Sequence, residues 1–192
     1  RSVPLSQHIG YLQRDGVGQD GQRADLFGHD IDGIGGRITT ETWEEDRHHF
    51  RFIVSPEDAH QLKDLRAFSR DLMARAERDL GTKLDWVAVD HWNTDNPHVH
   101  ILVRGKADDG RYLVISRDYI AHGLRSRAED LVQLELGPRS VREITSDLEL
   151  KKLPKESSFQ FASITPYQLK FEEQDQGFVR ELQMFTRIVI TT

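Results

Sequence analysis

Residues 91–105 (HWNTDNPHVHILVRG) hold three histidines on the two sides of a short turn-forming segment. His98 and His100 are separated by one apolar residue, so on an extended strand both imidazoles project from the same face. The third, His91, follows residues 84–90 (LDWVAVD), which are themselves typical of a strand. We predict a β-hairpin whose turn end brings the three imidazoles together, a ligand set suited to a catalytic divalent-metal site.

The register of this hairpin decides whether the three rings meet. Residues that lie directly opposite each other on paired strands point to the same face. A symmetric five-residue loop over residues 93–97 would pair His91 with Val99 and turn the His91 ring away. We therefore expect an even-numbered loop, or a β-bulge, that sets His91 opposite one of the other two histidines.

Before the hairpin, the pattern predicts a loop, a strand and a helix. The glycine-rich residues 25–36 favour a surface loop, and residues 48–54 (HHFRFIV) suit a strand. Ser55 is a good N-cap for a helix in which apolar residues recur at spacings of three and four as far as Leu80. Gly81 then ends that helix.

After the hairpin, a further short strand and a second helix are predicted. Residues 111–115 suit the strand, which would bury the ring of Tyr112. Ser116 can cap a helix over about residues 117–135, with Gly137 as its stop. The order of elements indicates an α+β fold with a mainly antiparallel central sheet and helices covering one face.

The pattern changes after residue 140, and we divide the chain there. Residues 1–140 form one predicted domain, and residues 141–192 form a C-terminal extension of unknown role that could pack on the same core. Within the extension, residues 159–164 and 187–191 suit strands, whereas residues 151–155 and 172–177 suit turns.

Composition excludes several classes of protein. The chain has 192 residues, 37% of them hydrophobic and 30% charged, and no apolar run reaches the length that spans a bilayer. It has no cysteine, so disulfides and thiolate metal sites are excluded. The formal net charge of −6 argues against a surface that grips nucleic acid everywhere. Basic residues nevertheless follow the histidine strand and predict a local basic face: Arg104, Lys106, Arg111, Arg117, Arg125 and Arg127.

Four segments together resemble the relaxases of the HUH endonuclease superfamily, which nick DNA in plasmid mobilisation. Residues 91–100 (HWNTDNPHVH) resemble the three-histidine motif, and residues 11–16 (YLQRDG) resemble the N-terminal tyrosine motif. Residues 48–59 (HHFRFIVSPEDA) resemble the second motif, and residues 114–139 resemble one mobilisation-protein subfamily. The order and spacing of the four segments agree, and the resemblance covers about residues 7–139.

The resemblance implies a metal-dependent tyrosine transesterification on single-stranded DNA at a transfer origin, in a bacterial cytoplasm, with accessory transfer proteins as further partners. It implies Tyr11 as the nucleophile and His91, His98 and His100 as the metal ligands. The implied metal is Mg²⁺ or Mn²⁺, although imidazoles would also hold Zn²⁺ or Ni²⁺ in the isolated protein. The side chains expected at the DNA backbone are Ser55, Arg14 and Arg104.

One position departs from the pattern of the family. Many relaxases have an acidic residue two positions after the first histidine, where this chain has Asn93. We expect Asp90 or Asp95 to supply the carboxylate that orients an imidazole instead.

Three other interpretations are compatible with the same residues. A replication-initiating HUH nuclease would use a downstream tyrosine, here Tyr119, which lies in the first turn of the second predicted helix. A DNA-binding module could keep the fold without turnover. The histidines could also be purely structural in an ordinary α+β domain.

Overall fold

The computed structural model describes residues 4–35, 41–56, 58–137, 168–172, 177–181 and 186–191. The predictions for residues 151–155 and 159–164 lie outside the described residues, as does Tyr167. Within the described parts the helices are α1 (Leu5–Leu12), α2 (Leu65–Leu80) and α3 (Leu124–Leu136), and the strands are β1 (His49–Pro56), β2 (Leu84–His91), β3 (His98–Ala107), β4 (Gln168–Glu172), β5 (Gly177–Glu181) and β6 (Thr186–Thr191). A 3₁₀ turn (Ala59–Gln61) precedes α2, and a π-helical turn (Tyr119–Gly123) leads into α3.

Four strands form one antiparallel sheet in the order β2-β3-β1-β6, and β4 pairs with β5 in a separate hairpin. The fold class is therefore α+β with an antiparallel central sheet, which confirms the prediction. The strand predicted over residues 187–191 is β6, and it joins the sheet beside β1. Part of the C-terminal extension thus completes the sheet of the first predicted domain.

The two faces of the sheet bury different sets of side chains. One face packs against α2 and α3 through alternate strand residues, among them Phe52, Ala88 and Ile101. The other face packs against α1, whose buried residues are Leu5, Ile9 and Leu12; on the strands these contact Val87, Val89 and Leu102. Helices therefore lie on both faces rather than on one, because α1 presents an apolar stripe of its own.

The first predicted helix begins later than its sequence pattern indicates. Strand β1 continues through Pro56, and α2 starts only at Leu65. Its N-cap is Asp64, whose carboxylate accepts hydrogen bonds from the backbone N–H groups of Arg66 at 2.8 Å and Ala67 at 3.1 Å. The prediction of Ser55 as the N-cap is therefore wrong. The end of the helix is as predicted, since Gly81 adopts a left-handed φ of 67° that favours glycine.

The second predicted helix, which includes the π-helical turn before α3, is confirmed at both ends. The hydroxyl of Ser116 accepts a hydrogen bond of 3.1 Å from the N–H of Tyr119, and α3 ends at Leu136 before Gly137. The strand predicted before it is reduced to one bridge between Lys106 and Tyr112. The ring of Tyr112 is 56% exposed, so the prediction that it is buried is wrong.

The segment predicted as a surface loop over residues 25–36 is partly core. Leu26 and Phe27 are buried, and Phe27 exchanges backbone hydrogen bonds of 2.9 and 2.8 Å with Ala88. This short pairing covers the otherwise free edge of β2. The sequence signal for this pairing was the presence of two adjacent apolar residues, Leu26 and Phe27, within a glycine-rich segment.

Candidate metal centre

The three histidines meet at the turn end of the hairpin formed by β2 and β3. His91 pairs with His98, so six residues separate the two strands. This register confirms the expectation of an even-numbered loop. The ring centroid of His91 is 4.5 Å from that of His100 and 5.3 Å from that of His98, and the His98 and His100 centroids are 5.0 Å apart. One ligand nitrogen from each ring lies within 4.8 Å of the others, so the group could hold one metal ion.

Backbone carbonyls orient two of the three imidazoles. Nε2 of His91 lies 2.8 Å from the carbonyl oxygen of Leu12, and Nδ1 of His98 lies 3.0 Å from that of Asn96. A carbonyl can only accept, so each of these nitrogens carries the proton. The free lone pair is then at Nδ1 of His91 and at Nε2 of His98. Both rings are therefore held in a tautomer that leaves one nitrogen able to bind a cation.

Burial keeps the three imidazoles neutral. It is the largest cause lowering the pKa of His91 and His98, and the carbonyl partner of each ring only partly opposes it. Burial, followed by the neighbouring histidines, lowers the pKa of His100 to about 3. A neutral imidazole is the form that binds a metal, so no proton has to be displaced near neutral pH.

The carboxylates expected to orient the imidazoles do not do so. Asp90 precedes His91 on β2 and therefore points to the opposite face. Its oxygens accept hydrogen bonds from Arg66 at 3.1 Å and from the indole N–H of Trp92 at 2.7 Å. Asp95 is exposed in the hairpin loop, where its backbone carbonyl accepts a hydrogen bond of 2.9 Å from His60. The backbone carbonyls of Leu12 and Asn96 orient the imidazoles in place of these two carboxylates.

Helix α1 brings Tyr11 to the histidine face of the sheet. The carbonyl that holds His91 belongs to Leu12, the residue after Tyr11. Tyr11 is 63% exposed, so its ring is accessible from solvent. The Arg14 guanidinium stacks 4.6 Å from the centroid of that ring and donates a hydrogen bond of 3.3 Å to the Tyr11 carbonyl.

Tyr119, the alternative nucleophile, lies on the other side of the sheet. Its ring packs against the core beneath α2 and α3, and its hydroxyl donates a hydrogen bond of 2.9 Å to Asp79. Burial first, and then this carboxylate, raise the pKa of Tyr119 well above its usual value. Both the position and the suppressed ionisation argue against a nucleophilic role for Tyr119.

The other two predicted DNA contacts differ in where the structure places them. Strand register puts Ser55 on the histidine face, where its hydroxyl donates a 3.5 Å hydrogen bond to the carbonyl of Pro97 beside His98. Arg104 lies further along β3 and is bound to the buried Asp46 at 2.6 Å. We therefore leave Arg104 out of the site.

The predicted basic face after the histidine strand is largely compensated by carboxylates. Lys106 also binds Asp46, at 2.6 Å, and Arg127 binds Asp79 at 2.8 Å. Arg111 pairs with Asp109 and Arg125 with Glu129. Paired cations contribute little net potential for a phosphate backbone.

Two residues beside the triad were missed by sequence reasoning. His8 lies one turn before Tyr11 on α1 and interacts electrostatically with His100 and with Arg51. Arg51 is opposite Leu102, so it shares the histidine face. Burial and then Arg51 lower the pKa of His8 to about 4. The spacing of three between His8 and Tyr11 was the signal for a shared helix side.

Comparisons of the chain with protein-family models, with curated proteins and with solved structures find no match. No described helix combines the length and the apolar character needed to cross a membrane.

Proposed function

We propose that the protein is a metal-dependent relaxase that nicks and rejoins single-stranded DNA through Tyr11. The observation that carries the proposal is the hydrogen bond from His91 to the carbonyl of Leu12. It ties the tyrosine-bearing end of α1 to the histidine cluster. The resemblance of the motifs to relaxases supports the same chemistry and gives its context, the transfer origin of a bacterial plasmid or mobile element, with accessory transfer proteins as partners.

The triad suits a divalent cation because it offers three neutral imidazoles within 4.8 Å of one another, two of them with fixed tautomers. His91, His98 and His100 would hold the ion. When bound, it supplies a positive charge that polarises the nonbridging oxygens of the scissile phosphate. Mn²⁺ and Mg²⁺ follow from the resemblance, and the softer imidazole ligands favour Mn²⁺, Zn²⁺ or Ni²⁺ in the isolated protein.

In the proposed step, Oη of Tyr11 forms a bond to phosphorus and the bond from phosphorus to the 3′-oxygen breaks. The phenol proton is transferred, directly or through water, to the leaving 3′-oxygen. The products are a 5′-phosphotyrosyl DNA and a free 3′-hydroxyl. Attack by a 3′-hydroxyl reverses the step, so the phosphodiester energy is conserved without an external source.

Arg14 and Ser55 are the residues we propose at the phosphate backbone beside the reacting bond. Arg14 is placed over the Tyr11 ring, and Ser55 flanks His98 on the same face. An arginine can donate two parallel hydrogen bonds to one phosphate. Binding that depends on such contacts weakens as salt concentration rises.

The test is formation of a covalent protein–DNA adduct. The protein is incubated with Mn²⁺ and a pool of end-labelled single-stranded oligonucleotides with a randomised centre, and the products are separated on a denaturing gel. We expect a labelled band that migrates with the protein, resists boiling in detergent and disappears on protease treatment. Sequencing the trapped strands then gives the cleaved site.

Three controls make the result specific. Chelation by EDTA and the substitution His100→Ala should each abolish the adduct, whereas His122→Ala, at an exposed histidine outside the site, should leave it unchanged. A wild-type protein that forms no adduct with any of Mg²⁺, Mn²⁺, Zn²⁺ or Ni²⁺ contradicts the proposed function.

A further inference from the structure

A cavity of about 500 Å³ lies at the end of β2, beside the start of α2. Three parts of the chain line it: seven residues between Gly18 and Asp25, residues 63–66, and the two neighbours of His91, which are Asp90 and Trp92. Its size is within the range of about 300–1,000 Å³ that is usual for small-molecule sites. Because His91 itself points to the other face of the sheet, the cavity adjoins the candidate metal centre without being part of it.

A buried carboxylate holds the inner wall of the cavity in place. The side chain of Asp90 is 7% exposed, and both of its oxygens have partners. One oxygen accepts hydrogen bonds from Nε and Nη2 of Arg66 at 3.1 and 3.0 Å, and the other accepts from the indole N–H of Trp92 at 2.7 Å. The backbone N–H of Trp92 donates to the carbonyl of Val17 at 2.8 Å. Trp92, which is half-buried, therefore gives the wall an aromatic ring of fixed orientation.

The charged residues of the lining carry both signs. They are the cations Arg23, Lys63 and Arg66 and the carboxylates Asp20, Asp25, Asp64 and Asp90. The carboxylates would repel a phosphate, and the cations would repel a metal ion. Such a lining favours an uncharged polar ligand that both donates and accepts hydrogen bonds.

Three of these charged side chains are available to such a ligand. Within the part of the chain that the structure describes, the side chains of Arg23, Asp25 and Lys63 have no hydrogen-bond or ion-pair partner. Ala24 is 2% exposed, whereas Arg23 and Asp25 on either side of it are exposed. Both charged side chains therefore point away from the core, so a guanidinium and a carboxylate can bind one ligand side by side.

We propose that this cavity takes one guanine base of the bound DNA strand, stacked on Trp92. This inference rests on the proposed function and adds a base preference to it. Guanine alone among the four bases offers two adjacent donors, N1–H and N2–H, together with two acceptors, O6 and N7. Asp25 accepts from the two donors, because a carboxylate has an acceptor oxygen for each. Arg23 or Lys63 donates to O6 and N7, the commonest specific contact to guanine.

The base could belong to a free nucleotide or to the strand held at the triad, and the position of Trp92 favours the strand. Trp92 directly follows His91, and consecutive α-carbons are about 3.8 Å apart. A strand with one phosphate at the triad therefore brings a neighbouring base close to the cavity. Stacking of bases on aromatic side chains is the usual way in which proteins bind unpaired strands.

The experiment uses the Tyr11→Phe protein with Mn²⁺, so that the strand stays intact. Fluorescein-labelled oligothymidylate of twenty nucleotides is compared, by anisotropy at one salt concentration, with strands that carry one central guanine, adenine or cytosine. We expect the guanine strand to bind about tenfold more tightly than oligothymidylate, as one good base contact would give, and the other two to bind within about twofold of it. An inosine strand, which lacks the N2 amino group, should lose most of the gain.

A pair of variants tests the carboxylate. Asp25→Asn replaces one acceptor by a donor and should reduce the preference for guanine to less than about threefold. Asp71→Asn, at an exposed carboxylate of α2 outside the cavity, should retain the full preference.

Trp92 gives a direct readout of the stacked base. Trp43 and Trp86 are 2% and 3% exposed, so Trp92 is the one tryptophan of the chain that a base can contact without unfolding. An unlabelled guanine strand should quench the tryptophan fluorescence, and Trp92→Phe should remove that quenching. Quenching that persists in Trp92→Phe would contradict the stacked position.

The outcomes separate the inference from the proposed function. Equal affinity for all strands, or a preference that Asp25→Asn retains in full, overturns the inference and leaves the relaxase proposal standing if the wild-type protein forms the adduct. Deoxyguanosine monophosphate that binds as tightly as the guanine strand would assign the cavity to a free nucleotide and overturn its role on DNA. A guanine preference in a protein that forms no adduct supports the cavity assignment and contradicts only the relaxase reaction. A protein that binds none of the strands overturns both.

Discussion

The carbonyl oxygen of Leu12 accepts a 2.8 Å hydrogen bond from the imidazole of His91, a residue 79 positions away in the chain. This contact is buried, and it fixes both the ring and the end of α1. An unpaired buried donor or acceptor costs about 1–3 kcal/mol, so the two groups hold each other in place. The position of His91, a candidate metal ligand, and the position of the segment that bears Tyr11 therefore depend on each other.

Metal binding should depend on the triad and should stabilise the fold. A bound ion raises the free energy of unfolding by about 2.7 kcal/mol when its concentration is a hundred times its dissociation constant. We expect Mn²⁺ to raise the melting temperature of the wild-type protein, measured by calorimetry, and His98→Ala and His100→Ala to abolish the shift. His60→Ala, at an exposed histidine bound to the Asp95 carbonyl, is the matched control and should retain it.

Asp46 should be one of the most sensitive positions for stability. Its side chain is 1% exposed and is paired with both Arg104 and Lys106. Replacing it with Asn removes the carboxylate that Lys106 binds and leaves Arg104 with only the more exposed Asp85, which we expect to cost about 3 kcal/mol in urea unfolding. Asp85→Asn removes a more exposed partner of Arg104 and should cost less than about 1 kcal/mol. Equal losses of unfolding free energy in the two variants would argue against Asp46 as the main partner of Arg104.

Glu77 should make stability depend on acid pH. Burial acts to raise its pKa, but the N–H of Leu84, together with Lys83 and His29, lowers it below its usual value overall. The stabilisation is complete above the unfolded pKa, near 4.5, and is lost as pH falls through the lower folded pKa.

Urea unfolding from pH 7 down to pH 3 measures this effect. Wild-type stability should fall more steeply below pH 5 than that of Glu77→Gln, which is less stable at pH 7. Parallel pH profiles of the two proteins would show that Glu77 is not linked to folding.

The start of α2 can be tested by replacing the observed N-cap and the predicted N-cap, in turn, with alanine. Asp64→Ala removes the acceptor for two backbone N–H groups and should lower the free energy of unfolding by about 1 kcal/mol. Ser55→Ala lies within β1 and should lower it by less than about 0.5 kcal/mol. A larger loss for Ser55→Ala would restore the boundary indicated by the sequence pattern.

Much of the fold and the triad could be predicted because short-range patterns determine them. Alternation of side chains along β3 puts His98 and His100 together, and the even number of loop residues brings His91 opposite His98. These features depend on a period of two and on strand pairing within one hairpin. The antiparallel sheet follows from the same local signals.

The wrong predictions concern residues whose structure depends on contacts with distant parts of the chain. Ser55 followed by Pro56 has the local chemistry of a helix start, but pairing with β3 and β6 keeps this segment in β1. Asp90 is next to His91 in sequence, yet strand alternation points its carboxylate to the opposite face, where it accepts a hydrogen bond from Arg66. The backbone carbonyl of Leu12 in α1 orients the His91 ring instead. Neither partner could be identified without the tertiary structure.

The most direct test of the central claim is identification of the tyrosine that becomes attached to DNA. The adduct formed with Mn²⁺ is digested with nuclease and protease, and the peptide that retains a nucleotide is identified by mass spectrometry. We expect the nucleotide on Tyr11, no adduct from Tyr11→Phe, and normal adducts from Tyr119→Phe and from Tyr112→Phe, the exposed control. An adduct that persists in Tyr11→Phe and is lost in Tyr119→Phe would contradict this account and favour a replication initiator.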